Sequence, residues 1–198
     1  YYRIVRNLNF YTKVNEVALN LRYEPFRTFV RWDNPRWFLS PYVGASLGVF
    51  SFNPKTNYQG NEIELQPLGT EGQGTVGKES KYSLVQLSMP LSIGFKLNAP
   101  NRKFAIGFDM SYHVTFTDYL DDVSTVYPST FAGDGAAQAL AAALSNRNLS
   151  NESTVSSITS PGNQRGNPNN NDHFLTAQLR FSYYLGKANT RQTFCSSF

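Results

Sequence analysis

The chain has 198 residues, a length that fits one domain, and it combines 40% hydrophobic and 15% aromatic residues with only 16% charged ones. No run approaches the roughly 18 consecutive apolar residues of a spanning helix, so any membrane crossing must use strands that pair their backbone groups. The net charge is +4, but the basic residues form no helix face and no aromatic-interleaved patch, so we expect no nucleic-acid partner. Cys195 is the only cysteine, which excludes an intrachain disulfide and a cysteine-based metal site.

Five segments alternate apolar and polar residues, which is the pattern of a strand with two different faces. In chain order they cover 16–23, 42–49, 83–97, 104–116 and 175–185. In the third segment, for example, Leu91 and Ile93 alternate with Ser92. Most segments approach the roughly 9–11 residues of a tilted membrane-crossing strand. The alternation therefore predicts about five strands, most of them long enough to cross a bilayer.

The polar positions of these segments are mainly small residues, with a few charged ones among them. Small side chains fill the narrow interior of a small barrel and opposite charges pair inside it, whereas a soluble sandwich would place Lys and Glu on its solvated face. The pattern therefore favours a barrel. Asp109 and Arg180 share the interior face, and we predict that they are charged partners or near neighbours in a plugged lumen. The interior positions include Arg22, Gly44, Gly48, Gln86, Ser88, Gly94, Gly107, Asp109, Ser111 and Arg180.

The connections between the segments alternate in length: 24–36 is moderate, 53–80 long, 99–102 short and 118–171 very long. Outer-membrane barrels have short periplasmic turns and longer extracellular loops, so the two long connections are predicted to face outward. Within the longest, an alanine-rich stretch over 135–144 predicts a short helix. The last strand then runs towards the periplasm and leaves 187–198 as a periplasmic C-terminal tail.

The chain opens at Tyr1-Tyr2-Arg3 as if in mid-domain and shows no signal peptide. On the topology above, the first visible strand starts outside, whereas a bacterial barrel has an even strand number and begins in the periplasm. An odd number of strands, three in the smallest common barrel, is therefore expected before Tyr1, with a partner chain supplying them as the alternative. We predict an all-β, antiparallel up-and-down transmembrane β-barrel over 1–186, with about eight strands in the intact protein and about five here.

The predicted periplasmic end is basic, whereas the predicted outer loops are mainly acidic. A basic rim can hold anionic lipid headgroups or dock an acidic periplasmic partner, and the residues alone leave both possibilities open. Connection 24–36 is longer than a tight turn needs, and it combines arginines with aromatics, which are enriched at protein interfaces but also form membrane girdles. The candidate partner-binding residues are Arg27, Phe29, Arg31, Trp32 and Arg36.

Ser111 and His113 lie two residues apart on one predicted strand and therefore share a face with Asp109. A Ser–His pair with a carboxylate could act as an acyl hydrolase, and some small outer-membrane barrels modify lipids in this way. However, the sequence contains no Gly-x-Ser-x-Gly elbow, and neighbours in a filled lumen need no mutual hydrogen bond. A structural polar lumen is favoured, and a lipid-modifying enzyme that uses Ser111 and His113 is the alternative.

Asp118, Asp121 and Asp122 cluster directly after the fourth segment. Three carboxylates could bind Ca²⁺, which takes several oxygen ligands, but their spacing is not that of an EF-hand loop. The simpler interpretation is that they accept hydrogen bonds from loop backbone and pair with a basic loop residue, for which Arg165 is the candidate. We expect no cofactor.

Gly72, Gly74 and Gly77 have the spacing of a dinucleotide-binding fingerprint, and Lys78 brings them close to a phosphate-binding loop. Both motifs need a following helix whose N-terminus receives the phosphate, whereas here a long predicted strand follows. We therefore predict that these glycines lie in turns and bind no phosphate.

Six stretches resemble one protein family: RNLNF over 6–10, FLSPYVG over 38–44, GVFSFNP over 48–54, LQPLGTEGQG over 65–74, TFTDYLDDVST over 115–125 and GNQRGN over 162–167. In these stretches the chain resembles the PorG-type outer-membrane β-barrel proteins associated with the type IX secretion system. The resemblance implies a non-enzymatic barrel in the cell outer membrane, in contact with its lipids. Such a barrel would hold the periplasmic ring of this secretion and gliding machinery, built from a lipoprotein and its partner subunit. The matching stretches lie mainly on predicted outer loops, so they do not locate the docking surface.

Overall fold

A computed structural model describes residues 7–25, 37–100, 103–148, 158–183 and 185. The chain divides into two compact units. The first, here called the loop unit, comprises the described parts of 1–17, 49–87 and 115–172. The second, here called the sheet unit, comprises the described parts of 18–48, 88–114 and 173–198.

The longest strands form one five-stranded sheet and confirm the five predicted strands. They are β2 Asn15–Tyr23, β3 Phe38–Ser51, β6 Val85–Asn98, β7 Phe104–Thr115 and β8 His173–Tyr183. They are joined in the order β2-β3-β6-β7-β8, with β2 and β8 at the two edges, so the described strands form an open sheet. β7 and β8 are antiparallel, from Phe104 opposite Tyr183 to Val114 opposite His173.

The sheet exposes its apolar residues and buries its polar ones, most regularly along β3 and β6. Ile93 is 63% exposed while the preceding Ser92 is 5% exposed, and Leu47 is 70% exposed while Ser46 is 6% exposed. This distribution is the reverse of a water-soluble sheet, whose apolar face packs into the core. The sequence analysis placed the small and polar side chains on the interior face, and the structure buries them as expected.

A second, three-stranded sheet lies in the loop unit in the order β1-β4-β5, with β1 at Tyr11–Thr12, β4 at Pro54–Tyr58 and β5 at Asn61–Glu64. The sequence interpretation treated 53–80 as one long loop and missed this hairpin. Gln59 and Gly60 join β4 to β5 with φ of 51° and 83°. Two residues with positive φ form the tight hairpin turn that matches strand twist. Gln before Gly is a weaker turn signal than Asn or Asp, which explains the omission.

A helix, α1, spans Gly135–Ser145 and confirms the helix predicted from the alanine-rich stretch. It begins after Asp134, whose side chain accepts a hydrogen bond from the backbone N–H of Ala137 at 3.0 Å. This contact satisfies one of the free amide groups of the first turn. Ala141 and Leu144 are buried and fix the helix in the loop unit.

Among the described residues, no helix has the length and apolar character required to span a bilayer.

Candidate functional site

The buried face of the sheet unit holds a charged cluster centred on Asp109 of β7. Asp109 is 3% exposed, and its Oδ2 lies 3.1 Å from Nη2 of Arg180, which confirms the predicted pair. Nη2 of Arg22 donates a 3.4 Å hydrogen bond to Oδ1 of the same carboxylate, and the Tyr42 hydroxyl also donates to it. One buried anion thus meets two cations and a hydroxyl, which offsets the penalty of removing its charge from water.

Tyr42 owes its place in this cluster to a glycine on the neighbouring strand β6. A Cβ added at Gly94 would lie 2.6 Å from the Tyr42 ring and 2.5 Å from the carbonyl oxygen of Phe108. The guanidinium of Arg22 lies over the Tyr42 ring, 4.1 Å from its centroid, in a cation–π contact. A glycine on the polar face of β6 therefore leaves space for a large polar side chain from the neighbouring strand. The sequence analysis had expected such glycines only to fit a narrow interior.

A second ion pair lies on the same sheet, between Lys96 of β6 and Glu24, with 3.7 Å between Nζ and Oε1. The Ser40 hydroxyl donates a 3.3 Å hydrogen bond to Oε2 of Glu24. Both charged side chains are at most 15% exposed. The sequence analysis did not predict this pair: Glu24 follows β2 and Lys96 lies on β6, and β3 lies between these two strands.

Ser111 and His113 both belong to β7, and the structure directs His113 towards β8. Nε2 of His113 lies 3.0 Å from the Thr176 hydroxyl oxygen, and its ring stacks on Phe174 with centroids 4.2 Å apart. Asp109, which would be the third member of a catalytic triad, contacts Arg22 and Arg180 instead. The three side chains share a face, as predicted. However, the contacts given above join His113 and Asp109 to residues outside the proposed triad.

The carboxylates after β7 lie in the loop unit, where Asp122 joins a buried ion cluster. Nη1 of Arg165 lies 2.8 Å from Oε1 of Glu71, and its Nη2 lies 4.0 Å from Oδ2 of Asp122. Each of these three side chains is at most 2% exposed. The predicted pairing of the carboxylate group with Arg165 is confirmed for Asp122, whereas Glu71 was not identified as a partner.

Glu71 and Asp122 also tie loop backbone and side chains together. The carboxylate of Glu71 accepts hydrogen bonds from the backbone N–H groups of Ser124 and Thr125, at 2.8 and 2.9 Å. The Tyr82 hydroxyl donates to Oδ1 of Asp122 at 2.7 Å, and burial raises the pKa of Tyr82 well above its ordinary value. Distant parts of the sequence are thereby held together by one buried cluster.

Three aspartates of this region hold protons more tightly than an exposed carboxyl does. Burial raises the pKa of Asp121 to about 7, with the nearby charge of Asp172 adding to the effect. Burial likewise raises the pKa of Asp118 to about 6 and that of Asp122 to about 6. Over the described part of the chain, no group of three or more His, Cys, Asp or Glu side chains is arranged to hold a metal ion.

The glycines of the apparent phosphate motif lie in turns, as predicted. Gly72, Gly74 and Gly77 have φ of 83°, 84° and 80°, values that side-chain-bearing residues rarely adopt. The residues that follow lead into β6 without an intervening helix. The spacing of these glycines therefore reflects turns that need positive φ and not a phosphate-binding motif.

The predicted partner-binding residues Arg27, Phe29, Arg31, Trp32 and Arg36 lie outside the described residues, as does Cys195. Their assignment stays a prediction.

The chain matches no family model, no curated protein and no solved structure.

Proposed function

We propose that this chain forms part of a closed β-barrel in the cell outer membrane. The observation that carries this proposal is the inverted burial of the five-stranded sheet, with Ile93 exposed and Ser92 buried as the clearest neighbours. A sheet in water would bury its apolar face against a second layer. A sheet that faces hydrocarbon on one side and a filled polar lumen on the other has the distribution seen here.

The two edge strands support closure of the sheet. β2 and β8 have exposed apolar residues along their length, among them Leu19 at 85% and Leu179 at 70% exposure. Neither strand contains the lysine or proline that natural edges commonly use to prevent further pairing. In hydrocarbon every backbone polar group needs an internal partner. Further strands between β2 and β8 would supply those partners and complete the wall.

The charged side chains of the buried face support a sealed lumen. Asp109 is shared by Arg22 and Arg180, and Lys96 pairs with Glu24. A barrel of about eight strands is just wide enough for its side chains to fill the interior. The favoured role is therefore that of an anchor, and a passive pore is disfavoured.

Within the outer membrane, we propose that the barrel anchors or docks the periplasmic ring of the type IX secretion system. The support is the sequence resemblance, carried by stretches such as 65–74 and 115–125. The partners would be the ring lipoprotein and its partner subunit, contacted through the basic and aromatic connection 24–36.

A non-enzymatic role is proposed in preference to lipid modification. The contacts of His113 with Thr176 and Phe174, and those of Asp109 with two arginines, support a structural part for these side chains. We expect Ser111→Ala and His113→Ala to leave the lipid composition of the outer membrane unchanged, as measured by mass spectrometry of extracted lipids. Loss of any lipid modification in either variant would favour the enzyme.

The docking proposal is tested by extracting the full-length protein from isolated outer membranes in a mild detergent and identifying the proteins that co-purify with it. The ring lipoprotein and its partner subunit should be recovered with this chain and not with an unrelated barrel from the same membranes. Recovery from the outer membrane without either partner would contradict docking and leave the barrel intact as a proposal. Recovery outside the outer membrane would contradict both.

A further inference from the structure

The loop unit contains a cavity of about 750 Å³, here called the loop cavity. Its volume lies within the range of roughly 300–1,000 Å³ that is usual for small-molecule sites. The lining comes from separate parts of the sequence that fold together in this unit. The lining residues on which the inference depends are Asn9, Phe10, Asp118, Arg147, Gln164 and Asn170.

The lining contains both hydrogen-bond donors and acceptors. Asp118 supplies carboxylate oxygens, Arg147 supplies N–H donors, and the side-chain amides of Gln164 and Asn170 supply both. Gln164 and Asn170 are exposed, so both amides are accessible to a ligand. Phe10, which is 45% exposed, adds an aromatic ring to the same lining.

Asp118 gives the most specific indication of a ligand. Its Oδ2 is buried and accepts no hydrogen bond from any described residue. A buried polar atom of this kind usually has a partner, which can be protein, water or ligand. Burial also raises the pKa of this carboxyl to about 6. A ligand that donates a hydrogen bond to Oδ2 would satisfy the oxygen.

The mixture of charges restricts the class of ligand. In the described part of the chain no group of three or more His, Cys, Asp or Glu side chains is arranged to hold a metal ion, and a simple anion would meet the carboxylates of Asp118 and Asp121. An apolar ligand would leave the buried Oδ2 of Asp118 without a hydrogen bond. A hydroxyl group both donates and accepts, so a ligand with many hydroxyls can satisfy donors and acceptors in the same cavity.

We propose that the loop cavity binds a polyhydroxylated glycan, with Asp118, Gln164 and Asn170 among its hydrogen-bond partners and Phe10 packing against a sugar ring. All of these residues belong to the loop unit, so glycan binding is a function separate from ring docking. The same chemistry occurs in lipopolysaccharide glycans and in free oligosaccharides.

The test is isothermal titration of the full-length protein in detergent with two probes: the polysaccharide released from lipopolysaccharide by mild acid, and chitohexaose. At least one probe should bind. Asn170→Ala and Asp118→Asn should each weaken binding by about fivefold to tenfold, the usual effect of losing one hydrogen bond. Asn169→Ala is the matched control, because Asn169 is an adjacent exposed asparagine that does not line the cavity.

Binding of the polysaccharide alone would assign the site to a surface glycan, and binding of both probes would assign it to glycans in general. The proposal is overturned if neither probe binds, or if Asn169→Ala and Asn170→Ala weaken binding equally. Neither result would affect the docking proposal, which is measured by co-purification.

Discussion

Arg180 of β8 lies directly opposite Gly107 of β7, and its guanidinium reaches diagonally to Asp109, two residues further along β7. Because Gly107 has no side chain, the stem of Arg180 meets no side chain at the position facing it. A Cβ at Gly107 would lie 3.8 Å from the Cβ of Arg180 and 3.3 Å from the Phe95 carbonyl oxygen. The ion pair thus depends on the register of the two strands.

Replacing Asp109 by Asn should destabilise the sheet, because Arg22 and Arg180 would then face each other without an anion. Hydrogen bonds to charged groups contribute roughly 1.5–3 kcal/mol, and partial exposure of Arg180 places the expected loss of unfolding free energy towards the lower end. Urea unfolding in lipid vesicles measures the change. Gln178→Ala is the control, since Gln178 is exposed directly opposite Asp109. Equal midpoints for the two variants would contradict the cluster's role.

Adjacent residues of β6 should report opposite environments. In a Cys195→Ser background, a spin label at Ile93→Cys should collide readily with molecular oxygen and poorly with a water-soluble nickel complex, because lipid dissolves oxygen and excludes the complex. A label at Ser92→Cys, on the buried face, is the matched control and should be poorly accessible to both reagents. High nickel accessibility at Ile93 in the native membrane would show that the apolar face meets water, contrary to the barrel proposal.

The protein should not behave as an open channel. The Asp109 cluster and the Lys96–Glu24 pair occupy the polar face, and a small barrel has little space beyond its side chains. We expect no porin-scale conductance when the purified full-length protein is reconstituted in planar bilayers, with a trimeric porin reconstituted in parallel as the positive control. Stable channels of porin size would refute the sealed lumen.

Reversing the charge of Arg27 and Arg31 to Glu should weaken co-purification of the ring lipoprotein while the protein still inserts into the outer membrane. The reason is that like charges gathered on one rim need an acidic counterpart, and charge reversal converts that attraction into repulsion. Lys78→Glu together with Lys81→Glu, in the predicted outer loop, provides a control with the same change in net charge. If the Arg27 and Arg31 variant inserts normally and retains its partner in full, docking occurs elsewhere.

The loop unit should become more stable as the pH falls from about 7 towards about 4. The pKa values of Asp118, Asp121 and Asp122 are raised to about 6, 7 and 6, above the value of about 3.9 in an unfolded chain. In that window the folded state therefore binds more protons than the unfolded state, so stability decreases as pH rises. The groups that face them include Glu71, Arg165 and Asp172.

Hydrogen–deuterium exchange of 118–127, corrected for the intrinsic pH dependence of exchange, measures this effect. Protection should be greater at pH 5.5 than at pH 7.5. Asp121→Asn should reduce the difference, because it removes the carboxyl with the most strongly raised pKa, whereas Asp134→Asn, at the N-terminus of α1, should leave it unchanged. Equal protection at the two pH values would be evidence against ionised carboxylates destabilising this unit.

Local patterns accounted for the five long strands and for α1. Alternation along 83–97 and 104–116 predicted long strands, and the alanine-rich stretch predicted α1, because side-chain direction and helix propensity act over a few residues. The β4–β5 hairpin was missed because its turn, Gln59-Gly60, has a weak sequence signal. The Asp109–Arg180 pair was predicted because both residues lie on the same face of neighbouring strands.

The sequence by itself determined that the long strands have one apolar and one small, polar face, since successive side chains on a strand point in opposite directions. Only the tertiary structure decided which charges far apart in the sequence meet. Glu71 and Arg165 are far apart in the sequence, yet they form a buried pair at 2.8 Å. Such contacts depend on the order of the strands and the path of the loops, which follow from the packing of the whole chain. They therefore produce no repeating pattern of residues in the sequence.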